Sequence, residues 1–376
     1  MTREVFDVAL GKETPGTAHT VPMVRFGAPG ARPKAYIHAA LHADEAPGLM
    51  VAHHLLRLLD EAEAKGEIRG QVIVVPFANP LGLGQFVHGD HLGRFDLASG
   101  RNFNRGWPDI SSELIDRVGG RLGSNEEENG ALIRRAIGSI FDERGAAQEV
   151  DALYLALARE AFDADLVLDL HCDDEGLMHM FVRPEQWPAL RDIASELQCR
   201  AVFAEKPTGG GTFAEAAAIH WLGLAAAYPD KPIPAGGISA TVELRGFIDV
   251  DDEVTAADAA AIMNALRRRG YLEGSARPAP EPLCEATAFE ACDVVRTPVF
   301  GVIAYRAQLG ERVTRGQPIA DIVTPSADGT RTTIRSRTDG IVVTRRLKKL
   351  VAPNQVIAKV VGSEPLAHRR GYLLED

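Results

Sequence analysis

The sequence predicts an α/β protein: a mixed, mostly parallel sheet with helices on both faces, followed by a small all-β domain at the C-terminal end. Three observations carry this reading. From residue 34 onward, short apolar runs alternate with amphipathic stretches, the pattern of strands and helices in turn. The Pro-rich string GSARPAPEP (274–282) interrupts the chain, and beyond it come short strands broken by Gly and turn residues. The 376 residues exceed the usual size of one compact domain, while 45% hydrophobic and 25% charged residues are ordinary globular values. Two domains are expected, 1–282 and 283–376.

AYIHAAL (35–41) reads as a buried strand, and the helix after it carries Pro47 in its first turn and Val51, Leu55, Leu58 and Leu59 at helical spacing. QVIVVPF (71–77) is the next strand. It leads into a polar, Gly-rich passage over 78–109, too long for an idle loop, whose aromatics and arginines favour a functional role. Helical pattern resumes over 126–163, and DLVLDLH (165–171), MHMFVR (178–183) and ISATVEL (238–244) read as strands with helices between and after them. Such a sheet is covered on both faces and gathers ligand sites at its strand ends. In the last part, TPVFGVIA and GQPIADIV (297–304, 316–323) match SRTDGIVV and NQVIAKVV (336–343, 354–361) at an offset of 38 to 39. Two similar halves predict a quasi-symmetric β-barrel or sandwich. The pattern resembles the lipoyl/biotinyl carrier fold, but the connection SADGTRT (326–332) lacks the carrier lysine, so a structural or lid role is expected.

Lys plus Arg number 41 against 52 Asp plus Glu, and a net charge of −11 argues against nucleic acid as a partner. The four cysteines form no CxxC pair, which suggests a reducing compartment. The start MTREVFD has no apolar stretch behind it, and no window offers the roughly 18 apolar residues of a spanning helix. A cytoplasmic protein with no membrane association is expected, acting on a small molecule; a homo-oligomer is compatible with the sequence.

His42 and Glu45 in LHADEAPG sit between a strand and a helix, where both side chains can turn toward one point. His171 ends the strand DLVLDLH. Each alone reads as an ordinary rim residue, but together they supply the two imidazoles and one carboxylate of a catalytic zinc site with an open position. On ISATVEL, Glu243 shares a face with Ser239 and Thr241, either as a solvent-facing residue or as a general base for an attacking water. Asn104 and Arg105 in RNFNRGWP offer an amide donor and a guanidinium fork, the groups that hold a carboxylate. His88 and His91 read as loop histidines, His38 and Cys172 as packing residues, and GGGT (209–212) as a flexible active-site loop.

The ordered set HADE, Asn79-Pro80, FNR, DLH and VEL resembles the succinylglutamate desuccinylase/aspartoacylase family, a branch of the zinc carboxypeptidase-like hydrolases, over nearly the whole chain. The resemblance implies one zinc per chain on His42, Glu45 and His171, with Glu243 as base and Asn104 and Arg105 on a substrate carboxylate. It also implies an upstream arginine that polarises the scissile carbonyl, for which Arg94 and Arg101 both qualify. The chain departs from the family at Asn102, where an acidic residue is usual, which bears on substrate choice. A zinc-dependent deacylase of an N-acyl amino acid is therefore expected. A carboxypeptidase-type metallopeptidase and a non-catalytic binding protein with a decayed metal site are the alternatives.

Overall fold

Lys34–Ala39, Gln71–Val75 and Leu166–Asp173 are buried along almost their whole length, as strands covered on both faces must be. They form the centre of a nine-stranded sheet in the order Glu4–Ala9, Thr20–Phe26, Gln71–Val75, Lys34–Ala39, Leu166–Asp173, Ile238–Gly246, His179–Val182, Ala201–Ala204, Ala286–Ala288. Five of the eight pairings are parallel; the two at the N-terminal edge and that between Ile238–Gly246 and His179–Val182 are antiparallel. The computed structural model describes residues 3–11, 16–206, 211–326 and 329–370. Gly209, Gly210, Ala327 and Asp328, which figured in the loop readings above, lie outside them.

Alternation along the strands divides the core. Ile37, Val74, Leu168, Leu170, Val242 and Leu244 pack under the helices Ala46–Ala64, Trp187–Glu196 and Asp252–Arg268. Tyr36, Ile73, Val75 and Val167 face the other way, toward Ser111–Val118, Glu126–Asp142, Glu149–Ala161 and Phe213–Ala227. His38, Asp169, His171, Thr241 and Glu243 have the parity of this second face, so the polar residues of the central strands lie on one side of the sheet.

Several elements depart from the sequence reading. The strands Glu4–Ala9, at the sheet edge, and Thr20–Phe26 beside it were not expected; they pair with each other antiparallel, and Pro22 interrupts the second strand's text. The helical text over 126–163 is two helices, parted near Gly145, the first capped by Asn125 accepting from Glu127 N and Glu128 N. The 78–109 passage holds a one-turn helix, Pro80–Leu83, and a small hairpin, Phe86–Val87 with Asp90–His91. Ala286–Ala288, beyond residue 282, adds the last strand to the large sheet.

From Cys292 onward the chain forms two further sheets. Gly301–Tyr305 pairs antiparallel with Pro318–Thr324, and Gly340–Arg345 with Val356–Val361, so each half of the internal repeat supplies one strand pair. The two-residue strand Glu175–Gly176 pairs with Gly340–Arg345, Leu177 N donates to Val343 O at 2.9 Å, and Glu175 bonds both Arg345 and Lys349. Gly176 is required there, since a Cβ would sit 2.7 Å from Arg245 O. These contacts bring the last sheets against the loop that follows His171. No helix among the described residues is long and apolar enough to cross a membrane.

Candidate active site

The backbone leaves the strand Lys34–Ala39 at Ala40, whose φ of 59° turns it sharply. The following turn is held by Ala43 N donating to Gly93 O at 3.0 Å and Glu45 N to His42 O at 3.1 Å. Gly93 permits this approach, because a Cβ on it would lie 2.3 Å from Asp44 N. Asn79 ties the same turn to Pro80–Leu83, donating to Leu41 O and accepting from Gly82 N. Glu45 stands at the N-cap of Ala46–Ala64 yet makes no side-chain cap bond. Its carboxylate is turned to the imidazoles instead: Oε1 lies 2.9 Å from His42 Nδ1, Oε2 lies 2.8 Å from His171 Nδ1, and Oε2 also accepts from Cys172 N at 3.0 Å. All three residues are buried, with candidate ligand atoms within 4.8 Å of one another.

The tautomers follow from the neighbours. Asn102 Oδ1 accepts from Asn104 N at 2.9 Å, which fixes the amide, so the His42 Nε2 that lies 2.9 Å from it must donate. His42 Nδ1 then presents a lone pair, met by Arg94 Nη1 at 3.2 Å. That lone pair faces the Glu45 oxygen 2.9 Å away: two acceptors in contact, an arrangement a cation between them would satisfy. On the other ring, Nε2 lies 2.8 Å from Asp169 Oδ1 and 3.0 Å from Asn104 Nδ2, while Nδ1 lies 2.8 Å from Glu45 Oε2. Asp169 is in turn bonded by His38 Nε2 at 2.6 Å and by Asn104 Nδ2 at 3.3 Å. The donor set, two imidazoles and a carboxylate, fits zinc.

The electrostatics separate the two rings. Burial, reinforced by Arg94, lowers His42 to about 4. Burial also opposes charge on His171, but Asp169 and Glu45 outweigh it and hold that imidazole well above its usual pKa. Both carboxylates pay the same desolvation, and the imidazoles beside them keep Glu45 and Asp169 well below the ordinary carboxylate range.

Glu243 is the register partner of His171 on the neighbouring parallel strand, and the strand is irregular just beyond it, where Arg245 has a φ of 65°. Its Oε2 is buried and has no hydrogen-bond partner among the described residues. Burial, then the charge of Glu45, pushes its pKa up to about 8. Glu243 lines a cavity of about 1100 Å³ together with His42, Glu45, His171, Arg94, Asn104 and Arg105; the C-terminal sheets contribute Arg296, Arg345, Arg346 and Lys359.

The two arginines that the sequence left equivalent are separated here. Arg94 reaches His42 and stands 3.5 Å from Glu45 Oε1. Arg101 points elsewhere: Nη1 bonds Asp151 Oδ1 at 2.6 Å and the guanidinium lies over the Tyr154 ring, 5.0 Å from its centroid. Asn104 is buried, with Oδ1 taken by Phe213 N at 2.8 Å and Nδ2 turned to Asp169 Oδ2 at 3.3 Å and His171 Nε2 at 3.0 Å. Arg105 Nη1 donates to Asn104 O at 2.9 Å. His91 lines the cavity but bonds Gly82 O, and exposed His88 occupies the hairpin turn. Asp169 was missed by the sequence reading, although its place two residues before His171 puts both on one face of the strand.

A mixed sheet with an imidazole–carboxylate–imidazole cluster at the C-terminal ends of its parallel strands defines an α/β protein equipped to hold a metal ion. Residues 31–226 match the model of the succinylglutamate desuccinylase/aspartoacylase catalytic domain. The chain belongs to that family of hydrolases acting on amide bonds. A candidate succinylglutamate desuccinylase/aspartoacylase from Shewanella frigidimarina NCIMB 400 is 24% identical and superposes with a TM-score of 0.84 over 96% of this chain and 97% of that one. A family protein from Shewanella amazonensis SB2B is similar, at 23% identity, a TM-score of 0.82 and coverage of 95% and 98%. The ectoine utilization protein EutE (DoeB) from Ruegeria pomeroyi, in its product-bound structure, gives 18%, 0.67 and coverage of 96% and 95%. No curated protein sequence matches the chain.

Proposed function

We propose that the protein is a zinc-dependent amidohydrolase that removes the acyl group from a small N-acyl amino acid, releasing a carboxylate and a free amine. The observation that carries this reading is the contact of His42 Nδ1 with Glu45 Oε1, two acceptors 2.9 Å apart at the wall of the large cavity. His42, Glu45 and His171 would hold one zinc ion, which when bound supplies a Lewis acid that polarises an amide carbonyl and acidifies a water. Glu243, whose Oε2 has no partner among the described residues, takes a proton from the attacking water and delivers it to the leaving nitrogen as the C–N bond breaks. Arg94 steadies the negative charge that develops on the carbonyl oxygen, a role that the Asp151 partnership of Arg101 does not favour. Arg105, with Asn104 behind it, holds the substrate carboxylate. The C-terminal sheets act as the far wall of the cavity, placing basic side chains over a site in an otherwise acidic protein.

The test is metal content of native protein beside a His171→Ala variant, with amine release followed over N-acetyl, N-succinyl and N-formyl amino acids and short peptides. Near-stoichiometric zinc that the variant lacks, with turnover of one acyl class, is the expected result. Cleavage of peptides alone would transfer the site to a peptidase. Protein with no affinity for metal would overturn the mechanism.

A further inference from the structure

Behind the site, one buried cluster joins the two parts of the chain. Glu243 lines the large cavity, yet its Oε2 is sealed from solvent and has no hydrogen-bond partner among the described residues, so that oxygen faces away from the substrate space. On the strand that flanks it opposite His171, the antiparallel register partner of Glu243 is His179. Such partners share a face of the sheet, with Cβ atoms roughly 5 Å apart. His179 is fully buried, and its Nδ1 donates to Leu177 O at 2.8 Å, which leaves Nε2 an acceptor. That nitrogen is also without a partner among the described residues, and it lies 3.9 Å from Asp173 Oδ2. Asp173 stands two residues after His171, on the same face of the same strand. The C-terminal sheets reach this spot with Lys359, on the strand Val356–Val361, whose ammonium bonds Asp173 Oδ2.

Donors and acceptors in this cluster are unevenly matched. An ammonium carries three hydrogens, and Asp173 is the one partner of Lys359 Nζ among the described residues. Glu243 Oε2 and His179 Nε2 are two buried acceptors with no donor, a condition that folded proteins rarely leave standing. The groups are electrostatic neighbours: after burial and Glu45, it is His171, Asp173 and Lys359 that act on Glu243, and after burial it is Asp173 and Lys359 that act on His179. Asp174, which burial and then Asp173 push up, has Arg346 as its foremost cation, ahead of Lys359. We infer that Lys359 is a positioning residue for the base: with its ammonium kept on Asp173, it donates to Glu243 Oε2 and so turns the other carboxylate oxygen toward the attacking water. The third hydrogen serves His179 Nε2. Two buried carboxylates thus share one cation, and a terminal torsion of Glu243 that nothing else restrains is fixed in the reactive orientation. The C-terminal domain then acts on the base as well as walling the cavity. This rests on the deacylase reading of Glu243 and adds a residue to it.

Four forms are compared: the protein as purified, Lys359→Met, Lys359→Arg and Lys349→Met. Lys349 bonds Glu175 across the same seam but does not line the cavity, so its variant measures loosened docking alone. Zinc content, melting temperature and kinetics on the N-acyl amino acid that the protein hydrolyses are followed, beside a crystal structure of the protein as purified. For Lys359→Met the expected result is a fall in kcat of roughly 10- to 100-fold, the worth of one hydrogen bond to a charged group, with KM and zinc content unchanged. Lys359→Arg recovers part of that loss, Lys349→Met keeps kcat, and the crystal structure places Lys359 Nζ within about 3.2 Å of Glu243 Oε2. An equal fall in Lys349→Met, or loss of zinc in Lys359→Met, overturns the role in favour of domain docking. Raised KM at unchanged kcat would make Lys359 a substrate contact, and unchanged kinetics would leave it no part; either overturns the proposal. Should no acylated amino acid be hydrolysed, the deacylase reading falls, and the crystal distance alone decides: a Lys359 Nζ beyond about 4 Å from Glu243 Oε2 overturns the contact, and a hydrogen bond sustains it.

Discussion

His171 Nδ1 and Glu45 Oε2 lie 2.8 Å apart although 126 residues separate them in the chain. One lies near the end of a buried central strand and the other stands at the N-cap of the helix that packs on the opposite face of the sheet, so their meeting depends on the parallel pairing of Lys34–Ala39 with Leu166–Asp173. The backbone N–H of Cys172 reaches the same oxygen at 3.0 Å and pins the carboxylate in place.

Glu243→Gln preserves the shape of the cavity wall but removes the proton acceptor. Zinc content is expected to stay at the wild-type level while kcat falls on the order of 10²- to 10⁴-fold. Metal analysis beside steady-state kinetics checks this, and a variant that turns over normally would remove Glu243 from the base role.

Asp169 braces His171 without belonging to the proposed ligand set. Asp169→Asn is expected to weaken metal affinity roughly 10- to 100-fold, read by competition with a chelator. Because His171 is held above its usual pKa, the metal must displace a proton from it, so affinity should weaken as pH falls.

Arg94 and Arg101 are expected to part company under substitution. Arg94→Ala should cost about 10²- to 10³-fold in kcat, the scale of a lost oxyanion donor. Arg101→Ala removes a half-exposed bond to Asp151 and should shift stability by about 1 kcal/mol or less, with kcat nearly unchanged. Kinetics and melting of the two variants side by side would distinguish the roles, and the reverse pattern would exchange them.

Glu243 acts as a base only when ionised, and burial, then the charge of Glu45, raises its pKa to about 8. A cation on Glu45 and His171 would draw it down, so kcat/KM should rise with pH along an acid limb centred at or below about 8. A profile without such a limb, or one whose limb persists in a variant lacking Glu243, would contradict the assignment.

Much of the site was legible because its residues sit where local pattern speaks. His171 and Glu243 stand on strands whose alternation sets their face, and His42 and Glu45 occupy a strand-to-helix turn announced by Pro47. The long loop was less readable. Its short hairpin and one-turn helix are set by contacts such as Gln85 Nε2 to Leu92 O and to Phe95 O, which no periodicity reveals. The strand Thr20–Phe26 was hidden for a similar reason, being stabilised by pairing on both sides and not by a strong pattern of its own.

The sequence by itself determined the donor types, their order, the layered α/β architecture and the repeated halves of the last sheets, since all of these follow from residue chemistry and short-range spacing. Tertiary structure alone decided that Arg94 and not Arg101 stands beside His42, that Asn102 orients that ring, and that Lys359 meets Asp173. Those outcomes depend on strand register and helix placement across long chain separations, and a side chain's partner there is set by packing that no local pattern encodes.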